Sequence, residues 1–123
     1  MGLVNTLLKY TYSDYLGWEG RWELINGHPI DISPSPVPLH QVIAENIAYE
    51  FGKAIREAKC KHCKVVQALD YKISEETVIC PDVLIMCKPA KKKFLDFSPS
   101  LVVEILSPST ALRDRNIKFN IYE

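Results

Sequence analysis

The chain lacks any long apolar run. No segment approaches the roughly 20 consecutive apolar residues of a membrane helix, so a helical membrane-spanning protein is excluded and no membrane partner is expected. The opening Met1-Gly2-Leu3-Val4-Asn5 has neither the basic start nor the apolar core of a secretory leader, and the expected location is cytoplasmic. An excess of charge is also missing: fifteen acids balance fifteen bases. That excludes a general polyanion-binding surface and leaves any nucleic-acid contact to a local basic patch. Cysteine is sparse, at four residues, and in a cytoplasm reduced thiols are expected. Cys60-Lys61-His62-Cys63 has the spacing of half a zinc site. Cys80 and Cys87, seven apart, supply no second half, and Lys64 stands where haem attachment would need histidine. Internal repeats and low-complexity tracts are absent.

What is present suits one domain, residues 1–123, with an N-terminal helix and hairpin over 1–37 and a core over 38–123. Of 123 residues, 47% are hydrophobic, enough for one real core. Thr11 followed three residues later by Asp14 reads as a helix start. The helix is short, because Gly17 and Gly20 follow. Trp22 to Ile25 reads as a strand, Asn26-Gly27 as a tight hairpin turn, and His28 to Ile32 as the return strand. The prolines of Ser33-Pro34-Ser35-Pro36-Val37-Pro38 remove donors and restrict their predecessors, so this is a rigid loop.

From Leu39 to Ala58, Ile43, Ile47, Phe51, Ile55 and Ala58 recur at helical spacing. Lys64 to Ile73 reads as a strand, Ser74-Glu75-Glu76 as a turn, and Thr77 to Cys87 as the next strand. Pro81 near the middle of the latter argues for an edge or a bulge. Lys88 to Lys93 is a basic loop. Leu101 to Leu106 is almost purely apolar, as expected of a buried central strand. Ser107-Pro108-Ser109-Thr110 then turns into a helix over Ala111 to Tyr122, with Leu112, Ile117 and Ile121 as expected core contacts. The fold class is mixed α/β (α+β).

Two apolar strands each carry one acid. Asp82 stands in Ile79-Cys80-Pro81-Asp82-Val83-Leu84-Ile85-Met86, and Glu104 in Leu101-Val102-Val103-Glu104-Ile105-Leu106. Burying a carboxylate costs several kcal/mol unless a cation or donors compensate. If the strands pair antiparallel with Asp82 opposite Glu104, then Val83 faces Val103 and Leu84 faces Val102. The two carboxylates then share one face, with Cβ atoms ~4.5–5.5 Å apart, and a slip of one residue would separate them. Their mutual repulsion is relieved by Mg²⁺ or Mn²⁺. Such an ion activates water and stabilises a phosphoryl transition state. A lysine is the natural third part, to position the water or neutralise charge. Lys118 follows on the next helix, with Asp114 and Tyr122 on the same helical face.

Pro81-Asp82 followed by Val103-Glu104-Ile105-Leu106 resembles the PD-(D/E)XK nuclease superfamily. Within it the chain is similar to a bacterial family classed as restriction endonucleases. The matching segments run from Tyr10-Thr11 to Tyr15, then through Trp22-Glu23-Leu24-Ile25-Asn26-Gly27, Ser33-Pro34-Ser35 with His40, and Pro81-Asp82-Val83. They continue over Leu101 to Thr110 and Asp114, Arg115, Lys118 and Tyr122, nearly the whole chain. The resemblance implies a restriction-endonuclease-like core of order αβββαβ that lacks its C-terminal strand or strands here. It implies Asp82 and Glu104 as metal ligands, with the Ile105 carbonyl as a third. The superfamily's lysine position, two after the glutamate, holds Leu106, and some relatives move that lysine to the next helix, where Lys118 sits.

Around this pair, Glu23 is a candidate third acid or a hydrogen-bond acceptor behind the metal. His40 is a candidate contact to phosphate or water. Lys91, Lys92 and Lys93 are candidate contacts to a phosphate backbone. Trp18, Trp22, Tyr12 and Tyr15 are assigned to the core rather than to base stacking. The expected activity is Mg²⁺- or Mn²⁺-dependent hydrolysis of DNA. The alternatives are an inactive nuclease fold that binds DNA or protein, and a structural domain that forms a homodimer or higher oligomer through an uncovered sheet edge.

Overall fold

Two local signals shape the N-terminal part of the molecule. The computed structural model describes residues 8–32, 38–105 and 119–122. Helix α1 spans Tyr12–Tyr15. It starts at Thr11, whose N–H donates to the Asp14 carboxylate at 2.9 Å. Strands β1 (Trp22–Ile25) and β2 (His28–Asp31) form an antiparallel hairpin. Asn26 and Gly27 both take positive φ, 51° and 81°, as a two-residue turn that follows strand twist requires. Gly27 is also a close approach: a Cβ there would lie 3.0 Å from the Lys9 Cβ and 3.2 Å from Glu76 Oε2.

Helix α2 runs over Pro38–Glu57 and packs mainly on β3 (Lys64–Gln67). Then come β4 (Tyr71–Ser74), β5 (Thr77–Ile79), β6 (Val83–Met86), β7 (Leu101–Val103) and helix α3 (Phe119–Tyr122). Among the described residues the strands make two antiparallel sheets, ordered β2-β1-β5-β4 and β3-β6-β7. Fully buried Leu24, Val78, Ile79, Val83 and Leu84 place the core on β1, β5 and β6. Each such side chain contributes roughly 1.5–3 kcal/mol. No helix among the described residues is long and apolar enough to cross a membrane.

Three expectations need correction. The single strands expected over Lys64–Ile73 and Thr77–Cys87 are each divided, and their halves lie in different sheets. The register nevertheless continues through the break: Gln67 faces Val83, and Tyr71 faces Ile79 four residues on along one strand and four back along the other. The two segments are therefore one long ribbon, bent between its halves. Ala68 takes a left-handed φ of 53° at the bend. The register sets it opposite Asp82, whose carbonyl accepts the Ala68 N–H at 3.3 Å, and the neighbouring Pro81 has no N–H to contribute to a ladder.

The second correction concerns Leu101–Leu106. Among the described residues the strand covers Leu101–Val103 and stands at one side of the three-stranded sheet, with Leu101 exposed; the strand with a neighbour on both sides is β6. An apolar run of this length fits a flanking strand as well as a buried one.

The third is the thiols. Cys63 and Cys87 are joined by a disulfide, while Cys60 and Cys80 are free. The cause is the ribbon: one step beyond Lys64 opposite Met86, its register sets Cys63 against Cys87.

The proline loop at residues 33–37, the turn at 107–110 and most of the expected last helix, with Leu106, Leu112, Asp114, Arg115, Ile117 and Lys118, lie outside the described residues.

Candidate active site

The bend that divides the ribbon also presents Asp82. It directly precedes β6, and Glu104 directly follows β7. The two strands pair with Val83 opposite Val103, Leu84 opposite Val102 and Ile85 opposite Leu101. Asp82 and Glu104 stand one step beyond the Val83–Val103 pair, in the same register. A second contact joins the strand ends there: the Ile105 N–H donates to Asp82 Oδ2 at 2.6 Å. Charge-assisted bonds of this kind are about twice as strong as neutral ones.

The other Asp82 oxygen, Oδ1, lies 3.2 Å from His40 Nε2. His40 sits in the first turn of α2, so the long helix fixes one side of the carboxylate while the β7 end fixes the other. Glu104 is held from α3, where the Tyr122 hydroxyl donates to its Oε1 at 2.7 Å. That phenol is held far above its ordinary pKa. Burial is the main cause, followed by the charge of Glu104 and the hydrogen bond to it, then by the charges of Glu23 and Asp82. Three carboxylates thus act on one hydroxyl. The sequence places Tyr122 on the Asp114–Lys118–Tyr122 helical face and among the residues that carry the family resemblance, but gives it no role at the site.

Glu23 is fully buried on β1. Its Oε2 accepts the Cys80 N–H at 2.8 Å, which pins the bend two residues before Asp82. The structure therefore gathers Asp82, Glu104, His40, Glu23 and Ile105 around the meeting point of β1, the bend and the β6–β7 end. It does not bring Lys91, Lys92 and Lys93 there. These are exposed on the loop between β6 and β7, which leaves β6 at the end away from Asp82, and Lys92 pairs with Asp96 at 3.3 Å. Lys118 lies outside the described residues.

Among the described residues no group of three or more His, Cys, Asp or Glu side chains is arranged to hold a metal ion. The acids supply only hard oxygen donors, which suit Mg²⁺ or Mn²⁺ rather than zinc. Mg²⁺ commonly uses one or two carboxylates and keeps its waters, so a pair of acids with a backbone carbonyl is a fitting donor set.

A network the sequence reading missed lies on the far side of Cys80. The Tyr15 hydroxyl is 2.9 Å from Asp70 Oδ2 and 3.1 Å from the Trp22 carbonyl. Arg21 Nη2 reaches Cys80 Sγ at 3.9 Å. No motif links these residues, and only the bend brings them together. The aromatic residues assigned to the core are also placed differently. Tyr12, Tyr15, Trp18 and Trp22 are all half-buried: α1 is a single turn with no buried residue, and the rings pack in series from Tyr12 on α1 through Tyr15 and Trp18 to Trp22 at the start of β1.

Comparison with known proteins agrees with this architecture. A structure titled "Crystal structure of a putative nuclease belonging to DUF820", from Anabaena variabilis ATCC 29413, superposes with a TM-score of 0.68 at 18% identity. The match covers 89% of this chain and 66% of that one, and shows a shared nuclease-type fold. The uncharacterised protein slr1290 of Synechocystis sp. is 32% identical over 123 residues, covering 93% of this chain. The chain spans 62% of the length of that relative. The Uma2 family, described as "Putative restriction endonuclease", matches residues 11–123. With nearly its whole length matched, this chain belongs to the Uma2 family of restriction-endonuclease-like proteins.

Proposed function

We propose that the chain is a metal-dependent nuclease domain that hydrolyses DNA phosphodiester bonds, with Asp82 and Glu104 as the metal ligands. The observation that carries this reading is the β6–β7 register, whose last pair is Val83 opposite Val103, with Asp82 next to the one and Glu104 next to the other along their chains. Family membership and the shared fold support nucleic acid as the substrate.

In this reading the Ile105 carbonyl completes the donor set. A bound Mg²⁺ or Mn²⁺ supplies polarisation of a phosphoryl oxygen and a water of lowered pKa. The chain's own groups prepare the site. His40 and the Ile105 N–H fix the two oxygens of Asp82, and Tyr122 orients Glu104. Glu23 anchors the bend through Cys80, so its part is to support the site. Lys118 assists the attacking water or neutralises developing charge.

The test is incubation of supercoiled plasmid with the protein and Mg²⁺ or Mn²⁺, beside an Asp82→Asn variant. Nicking or linearisation by the wild type, lost in the variant, is the expected result. Equal cutting by both, or none by either, overturns the hydrolytic reading.

A further inference from the structure

A cavity of about 330 Å³ lies at the bend, lined among others by Tyr15, Leu16, Trp18, Arg21, Asp70 and Cys80. Its size falls in the range of small-molecule sites, and such sites combine aromatic walls with a few convergent polar groups. Trp18 is half-buried, with its ring centroid 5.9 Å from that of Tyr15 and 5.6 Å from that of Trp22. Leu16 is 66% exposed. The polar side consists of Asp70, whose Oδ2 is held by the Tyr15 hydroxyl, and of Arg21 against the Cys80 thiol. Burial holds the Asp70 carboxyl above its usual range, against the hydrogen bonds from Tyr15 and Cys80 and the charge of Arg21. Burial pushes the Cys80 thiol up to about 12, so it is no nucleophile and the cavity is suited to binding rather than covalent chemistry.

A flat ring with donors and acceptors along its edge fits this lining. Aromatic side chains give it a stacking face, while a carboxyl and a guanidinium address amino and carbonyl groups on its edge. The cavity also adjoins the candidate active site through the chain itself. Cys80 lines it, the Cys80 N–H donates to Glu23, and Asp82 follows two residues later. Two residues of extended chain span at most about 7 Å.

We propose that this cavity receives one unstacked nucleobase of a nucleic-acid strand, held by Trp18, Asp70 and Arg21, next to the point where Asp82 and Glu104 meet the backbone. The inference rests on the nuclease reading for its choice of ligand, but its test does not depend on cleavage. Such a site selects single-stranded or locally opened substrate, because a base inside a duplex cannot reach it.

The test uses a single-stranded oligodeoxynucleotide carrying one 2-aminopurine, with the full chain in EDTA. Fluorescence reports stacking, and anisotropy reports affinity beside the same sequence as a duplex. The expected result is quenching on binding and tighter binding of the single strand. Trp18→Leu should weaken binding roughly five- to hundredfold, the range that 1–3 kcal/mol per stacked base allows. Leu16→Asp, a change at an exposed position that leaves the fold intact, should also weaken binding and quenching. Quenching with no cleavage by any form would sustain this site while the hydrolytic reading fails. Asp82-dependent cleavage, with both cavity variants binding and quenching like the wild type, would overturn this site and leave the hydrolytic reading standing. Absence of single-strand binding by the wild type would also overturn it.

Discussion

The hydroxyl of Tyr122 donates to Glu104 at 2.7 Å, which ties helix α3 to the end of strand β7. The bond joins the sheet edge to the last described helix and restricts how Glu104 turns.

Removing it with Tyr122→Phe keeps the ring and deletes only the donor. A hydrogen bond to a charged group is worth about 1.5–3 kcal/mol. Loss of a partner behind a metal ligand typically weakens the metal about 10- to 100-fold. The expected outcome is weaker Mn²⁺ binding of that order with unchanged far-UV circular dichroism. Unchanged affinity would show that the hydroxyl does not orient Glu104.

His40 and Asp82, 3.2 Å apart, are expected to act as one unit. A double-mutant cycle of His40→Ala and Asp82→Asn, read by metal affinity or by cleavage, should give a coupling of about 0.5–3 kcal/mol. The single His40→Ala change should cost less than Asp82→Asn, because it removes a support rather than a ligand. Strictly additive effects would place His40 outside the site.

Alkaline pH should destabilise the fold. The Cys80 thiol is pushed from 9.0 to about 12 by burial first and then by the charge of Asp70, and the Tyr15 and Tyr122 phenols move in the same direction from 10.0. The folded state holds these protons more tightly than the unfolded state. The stability they provide is therefore full below pH 9 and is lost as the pH rises through 12. Thermal melts from pH 8 to pH 12 should show Tm falling across that window. Iodoacetamide at pH 8 should leave Cys80 unmodified until the chain is unfolded. A flat Tm or rapid native labelling of Cys80 would contradict this.

The Cys63–Cys87 bridge closes the ribbon at its open end, across 24 residues of sequence. The chain-entropy argument gives such a cross-link about 3 kcal/mol. Reduction, or a Cys63→Ser/Cys87→Ser double change, should lower the urea midpoint accordingly. An unchanged midpoint would mean that the ribbon register alone sets its stability.

Much of this was readable before the structure. Asn26-Gly27 demanded its hairpin because positive φ suits these residues, and Thr11 with Asp14 marked a helix start that the backbone adopts. The β6–β7 register is the one obtained by setting Asp82 opposite Glu104, and the ladder adopts it with Val83 opposite Val103; the apolar residues themselves, present on both faces of both strands, do not select it. The ribbon bend was hidden because the run through Lys64–Ile73 stays β-like across Ala68, whose left-handed φ depends on tertiary context. Pro81 signalled an interruption, but a proline does not reveal that the chain changes sheet. The disulfide became legible only with that ribbon's register, and the Arg21–Cys80–Asp70–Tyr15 network only with its bend.

The most direct test is calorimetric titration of Mn²⁺ into the wild type, Asp82→Asn and Glu104→Gln. If the two strand-end acids share one cation, the wild type binds a single ion and either substitution weakens that binding at least tenfold. Equal affinity in all three proteins would contradict the assignment of these two carboxylates as a metal site.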